Sequence, residues 1–202
     1  MINEGYIKYR SQREEGMIPD HPDFSTLNRC RTELFDLRLI GLYPNGISYG
    51  NVSLRLSASQ FVISGSATGG IRELSKEHYA HVVSFDLDQN CVKSVGRIDA
   101  SSETMSHGAV YRALPGVNAV IHIHSRVLFD RMRSEHYLET GPAILFGTPE
   151  LARAIGKLVV SCGVNHGIFV TAGHDEGIIA YGETVEKALS LVKSVYTQGG
   201  LG

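Results

Sequence analysis

The sequence predicts an α/β fold, a three-layer α/β/α sandwich around a central, mostly antiparallel sheet. Three observations carry this prediction. Short apolar runs at Asn51–Leu56, Gln60–Ile63 and Tyr79–Leu87 read as strands. The run from His166 to Gly182 reads as two strands around a polar, Gly-flanked turn. Segments with helical periodicity stand between and after these strands, placed to cover the faces of the sheet.

Taken in order, Met1–Ile18 is polar and charged, so residues 1–20 are expected to form a loosely held arm whose Arg/Lys/Glu run is a solvated face. Asp20-His-Pro-Asp-Phe-Ser25 is a turn. After it, Leu27, Cys30, Leu34, Leu37 and Leu42 make one apolar helical stripe, which belongs to the core. The strand Tyr79–Leu87 runs out in the turn residues around Asp86 and Asn90. Met105–Leu114 and Pro149–Cys162 are helices, the second with proline near its start, where the missing N–H costs no hydrogen bond. Thr184–Tyr196 is the last helix. No repeat or low-complexity segment interrupts the chain, and residues 1–202 read as a single domain.

Composition narrows the class. The 202 residues are 43% hydrophobic and 20% charged, enough for one sizeable core. A net charge of -2 gives no general attraction to nucleic acid or to an anionic membrane, so any anion recognition must be local. Cys30, Cys91 and Cys162 are far apart and odd in number, which suggests neither a disulfide framework nor a CxxC metal site. The chain start has no basic-then-apolar secretory pattern and no run reaches membrane-spanning length, so a cytoplasmic location is expected.

The chemistry concentrates in three segments. In Asn118-Ala-Val-Ile-His-Ile-His124, the two-residue repeat of a strand puts His122 and His124 on one face, a way to present two metal ligands. Neutral imidazole suits zinc, and a catalytic zinc keeps three protein ligands and one open position. Alternatively, a strand histidine can be a hydrogen-bonded core residue. Upstream, Asp99 to Tyr111 reads as a helix start in which Ser101 or Ser102 caps exposed N–H groups. With Ser102 as cap, Glu103 enters the first turn and His107 follows on the same side. An ordinary surface cap is the other reading. Downstream, His174, Asp175 and Glu176 cluster at the tip of the Gly-flanked turn, where they are metal-ligand candidates or simply solvated turn residues.

Taken together, Gly50-Asn-Val-Ser53, Ile63-Ser-Gly-Ser-Ala-Thr-Gly69, Ser101-Ser-Glu103, Ala119 to His124, Phe146-Gly-Thr148 and the late His-containing turn before Val185 resemble the class II aldolase/adducin family. The resemblance runs from about Phe24 to Val195. That family includes zinc-dependent sugar-phosphate aldolases, an epimerase, dehydratases, decarboxylases and non-catalytic adducin heads. Carried over residue by residue, it implies that His122 and His124 bind Zn2+ or another divalent metal, and that Glu103 is the acid/base. Asn51, Ser101 and Ser102 match phosphate-binding positions. The Gly-rich stretch differs from the family loop by about one inserted residue, leaving Ser66 and Thr68 both as anion contacts. His174 is the third ligand if the following gap is an insertion, and Glu176 takes that place if it is not; His174 fits the family's three imidazoles.

The resemblance further implies a lyase that makes or breaks a C–C bond in a small phosphorylated or anionic hydroxy-carbonyl substrate through a metal-stabilised enediolate. Epimerase, dehydratase or decarboxylase chemistry, and a non-catalytic adducin-like module, are the alternatives. A homotetramer with active sites near subunit interfaces is expected. One departure concerns the aldol step: only Ser125 to Leu145 precede the Phe-Gly-Thr element, where the family's aldolases carry a longer segment with a tyrosine acting across the interface, and Tyr137 is the nearest candidate.

Overall fold

In the strand Ala119–His124, all six residues are buried, and their side chains alternate between two hydrophobic cores. Ile121 and Ile123 pack on one side, and Val120 on the other. The computed structural model describes residues 6–198. Its main sheet uses β1 (Arg10–Glu14), β4 (Asn51–Arg55), β5 (Phe61–Ser64), β6 (Tyr79–Asp86), β7 (Cys91–Val95), β8 (Ala119–His124), β9 (Gly167–Val170) and β10 (Gly177–Gly182). These stand in the order β1-β7-β6-β5-β4-β8-β10-β9. Among the described residues, β1 with β7 is the parallel pair, and the other pairings of this sheet are antiparallel. A short ribbon, β2 (Gly41–Leu42) with β3 (Ser48–Tyr49), stands apart.

Helices cover both faces, as expected of the sandwich. On one face α1 (Phe24–Asp36) and α5 (Val185–Gln198) bury Leu27, Leu34, Ala188 and Val192 with Ile121, Ile123 and Ile178 of the sheet. α3 (Arg126–Ser134) adds Leu128, Phe129 and Met132 to this core. On the other face α2 (Thr104–Ala113) and α4 (Pro149–Cys162) bury Val110, Leu151 and Ile155 with Phe61, Val82 and Ile179. The α4 boundaries follow from local chemistry. Thr148 accepts the Leu151 N–H through its hydroxyl, Pro149 opens the helix, and Gly163 at φ 66 closes it in the left-handed region.

Four expectations need correction. The N-terminal stretch read as a loose arm contains β1, paired along its length with β7; residues 1–5 of it lie outside the described residues. Its side chains are exposed, so no hydrophobic pattern announces it; backbone pairing, the bonds of Ser11 to Asp99 and of Arg13 to Gly96 O, and the buried Tyr9 just before it order it. The apolar stripe ends early: α1 stops at Asp36, Leu37 caps it while still packing half-buried against the core, and Leu42 on β2 is 49% exposed. The N-cap position of α2 is Glu103 rather than Ser102. Ser101 lends its hydroxyl to the Glu103 N–H at 3.3 Å and its carbonyl to the Thr104 N–H at 3.0 Å. Finally, the sequence reading leaves β7 and α3 without assignment. Three arginines in nine residues hide the amphipathic pattern of α3, whose apolar residues nevertheless face the core.

Candidate metal centre and anion cleft

His122 and His124 share the face of β8 that carries Val120. The third imidazole comes from the turn between β9 and β10. There the His174 N–H donates to Thr171 O at 2.7 Å and the Gly177 N–H donates to His174 O at 2.9 Å, which folds the turn back over β8. A Cβ at Gly177 would collide with the Thr171 hydroxyl, so this closure requires glycine. One ring nitrogen from each of His122, His124 and His174 lies within 4.8 Å of the others, and all three residues are buried. Glu176 lies outside this group. Its backbone is left-handed at φ 66, and its carboxylate accepts a hydrogen bond from the Tyr43 hydroxyl at 2.7 Å. Asp175 pairs with Arg126 at the surface. The turn thus sends one imidazole inward and two carboxylates elsewhere.

The polar partners determine which nitrogens face the centre. His122 Nδ1 lies 3.1 Å from Ile178 O and must donate to that carbonyl, leaving the Nε2 lone pair exposed to the centre. His124 Nδ1 lies 2.9 Å from the Tyr43 hydroxyl, whose proton is given to Glu176, so His124 also donates through Nδ1. The two Nε2 atoms are 2.9 Å apart. Two lone pairs so placed repel unless a cation or a proton lies between them, and this is the donor arrangement a divalent metal fits. Burial, followed by the neighbouring imidazoles, holds both histidines well below the usual histidine range and therefore neutral, the form that coordinates.

Glu103 stands beside the triad at the start of α2. Its Oε2 accepts from the Ser106 hydroxyl at 2.7 Å, whereas Oε1 is buried without a hydrogen bond and lies 4.0 Å from His174 Nδ1. A buried carboxylate oxygen left without a donor is costly unless a ligand completes it. His107, one turn along α2, bonds the Ser53 hydroxyl at 2.7 Å, which in turn bonds Tyr111 at 2.7 Å. Burial pushes the His107 imidazole down to about 3, with His122 adding to the effect and Glu103 opposing it. His107 is therefore a neutral support below the site.

One cleft brings together Asn51, Ser66, Thr68, Ser101, Ser102, Glu103, His122, His124 and His174. Asn51 reaches it because Gly50, at φ 75, turns the chain sharply just before β4. The Asn51 side-chain oxygen is buried without a partner. Thr68 spends its hydroxyl proton within the loop, on Gly65 O at 2.8 Å, so Ser66 carries the more available hydroxyl of the two.

Three contributors receive no role from the sequence alone, although Phe146 stands in one of the motifs that carry the resemblance. Arg31, 1% exposed, donates to the carbonyls of Thr68 at 2.8 Å, Gly69 at 3.3 Å and Arg72 at 2.9 Å, and also to that of Ile71. It gathers the carbonyls of the loop whose Thr68 and Gly69 line the cleft. Its only sequence signal is a cation one residue after Cys30 of the apolar stripe. Phe146 stacks on His174 with ring centroids 4.7 Å apart. Tyr43 supports His124 from a Pro-Asn-Gly turn that carries no catalytic pattern.

Residues 44–197 match the family described as Class II Aldolase and Adducin N-terminal domain. Methylthioribulose-1-phosphate dehydratase of Leptospira interrogans is 32% identical over 113 residues, which are 53% of this chain and 44% of that protein. The match thus spans less than half of the curated relative's length. Among solved structures, L-fuculose-1-phosphate aldolase from Thermus thermophilus is similar with a TM-score of 0.62 at 21% identity, covering 88% of this chain and 91% of that one. YgbL from Klebsiella pneumoniae is similar with a TM-score of 0.65 at 17% identity, covering 88% and 86%. At these identities the structural likeness speaks for the fold.

Proposed function

Because the chain belongs to the class II aldolase and adducin N-terminal domain family, we propose that it is a metal-dependent lyase acting on a small phosphorylated hydroxy-carbonyl compound. His122, His124 and His174 hold a divalent cation, zinc by preference, and Glu103 handles the proton. One observation carries this reading: a buried carboxylate oxygen without a hydrogen bond stands 4.0 Å from an imidazole of a buried three-histidine cluster. Such a set has little use in a non-catalytic adducin-like module.

A cation in the triad would act as a Lewis acid on the substrate's carbonyl and adjacent hydroxyl oxygens. Glu103 Oε1 removes or returns the proton at the neighbouring carbon, while Ser106 holds Oε2 in place. Asn51, Ser66, Thr68, Ser101 and Ser102 orient the anionic end through hydroxyl and amide groups and the exposed N–H groups at the start of α2.

Two outcomes follow from the same proton transfer. Cleavage of a C–C bond is the aldolase reading. Loss of water is the second reading, favoured by the 32% identity to a dehydratase of a ketose phosphate. The test is to load the protein with Zn2+, Mn2+ or Co2+ and offer it phosphorylated ketoses and aldoses. Coupled aldehyde detection reads cleavage, and loss of 18 mass units reads dehydration. Turnover in neither assay with any metal overturns the proposal. The proposal includes assembly as a homotetramer with the cleft near an interface, which sedimentation at micromolar concentration reads, and a cytoplasmic location. Among the described residues, no helix is long and apolar enough to cross a membrane.

A further inference from the structure

The two histidines of β8 are held differently. His122 donates through Nδ1 to a main-chain carbonyl of the adjacent strand, Ile178 O at 3.1 Å. His124 donates to a side-chain relay instead: its Nδ1 lies 2.9 Å from the Tyr43 hydroxyl, and that hydroxyl lies 2.7 Å from Glu176 Oε2. The relay joins three segments remote in sequence, since Tyr43 and Glu176 are 133 positions apart.

We propose that Tyr43 and Glu176 are positioning residues for His124: the Glu176 carboxylate takes the tyrosine proton, which obliges the hydroxyl oxygen to accept from His124 Nδ1 and keeps the Nε2 lone pair aimed into the triad. This rests on the metal-binding reading above. The logic is directional. A tyrosine hydroxyl has one proton, and without an acceptor behind it that proton turns toward His124 Nδ1. The imidazole proton then moves to Nε2, the atom that must coordinate.

The local structure is built for this contact. Tyr43 is fixed by its own N–H to Ile47 O at 2.9 Å, by the Gly46 N–H to its carbonyl at 2.8 Å, and by the Tyr49 ring at 4.6 Å between centroids. Glu176 adopts a left-handed backbone, unfavourable for a side chain with a Cβ, at the position whose carboxylate meets Tyr43. Arg126 Nε lies 3.5 Å from the other oxygen of that carboxylate. The carboxylate is therefore held from two sides, with one oxygen for the relay.

The experiment measures Zn2+ affinity by competition with a chromophoric chelator and, on metal-free protein, the His124 tautomer by long-range 15N–1H NMR. Tyr43→Phe is expected to weaken Zn2+ binding by about 10–100-fold. Glu176→Ala should do the same, and Glu176→Gln, which restores an acceptor, should recover part of the loss. The double variant Tyr43→Phe/Glu176→Ala should be no worse than Tyr43→Phe alone, because the two residues act in series. In the metal-free protein the share of His124 protonated on Nδ1 is expected to be higher in the wild type than in Glu176→Ala, where the proton shifts to Nε2 and the facing lone pair of His122. An unchanged Zn2+ affinity in Tyr43→Phe, additive losses in the double variant, or equal His124 tautomer shares in wild type and Glu176→Ala overturns the relay. If the wild type binds no divalent metal, the functional reading fails, and the tautomer shift on its own decides whether the relay stands.

Discussion

Asn51 and His122 are register partners across β4 and β8. Directly opposed residues of an antiparallel pair present their side chains on the same face. One row of the sheet therefore carries an amide of the proposed anion cradle and an imidazole of the proposed metal triad. The polar and metal-binding ends of a substrate would be spaced by the sheet's own geometry. A slip of one residue in β4 would turn Asn51 into the opposite core.

Metal content tests the triad first. About one divalent metal per chain is expected by elemental analysis. His122→Ala together with His124→Ala should abolish it, and full occupancy in that variant would contradict the assignment. Glu103→Gln should keep the metal while lowering kcat by roughly 10²–10⁴-fold, the usual contribution of a general acid or base. The shape of the side chain survives in that variant, whereas the proton exchange does not.

Arg31 makes the anion loop testable apart from the metal. Arg31→Met keeps the stem but removes the donor to the buried Gly69 carbonyl and leaves Thr68 O with the Ile71 N–H alone, at a cost of roughly 1–3 kcal/mol where water does not replace the guanidinium. Phosphate should then compete more weakly with substrate and KM should rise, with metal content unchanged. Asn51→Ala with Ser102→Ala should weaken phosphate inhibition in the same way. Steady-state inhibition constants for inorganic phosphate read both, and unchanged constants would place the cradle elsewhere.

His107 predicts an acid-sensitive fold. Its imidazole is held at about 3 in the native protein, against an unfolded value near 6.5. Below the unfolded value the unfolded chain binds a proton that the native chain refuses, so stability is complete above about pH 6.5. It falls as the pH drops toward 3, by roughly 1.4 kcal/mol per pH unit at most from this residue. Urea midpoints measured from pH 7 to pH 4 should decline, and His107→Gln should flatten the decline. Equal slopes in the two proteins would remove His107 as the cause.

The sequence by itself determined what depends on local covalent geometry. The two-residue repeat of a strand puts His122 beside His124, proline and threonine set the start of α4, and a glycine-bounded turn brings His174 to a hairpin tip. Each of these is decided within a few residues of backbone. The edge strand β1 was not legible, because it buries no apolar face: its order comes from backbone pairing with β7 and from the bonds of Ser11 and Arg13 to Asp99 and Gly96, all made some eighty or more residues away. The resemblance favoured His174 over Glu176, but no local pattern decided between them. The two stand two residues apart with similar ligand chemistry, and only the turn's hydrogen bonds and the left-handed backbone of Glu176 send one inward and the other to Tyr43. Arg31 beneath the anion loop and Tyr43 behind His124 were likewise decided by tertiary structure alone. Their partners lie 37 or more positions away in the chain, and no local pattern specifies which distant carbonyl or imidazole a buried guanidinium or hydroxyl will meet until the cores on both faces of the sheet have packed.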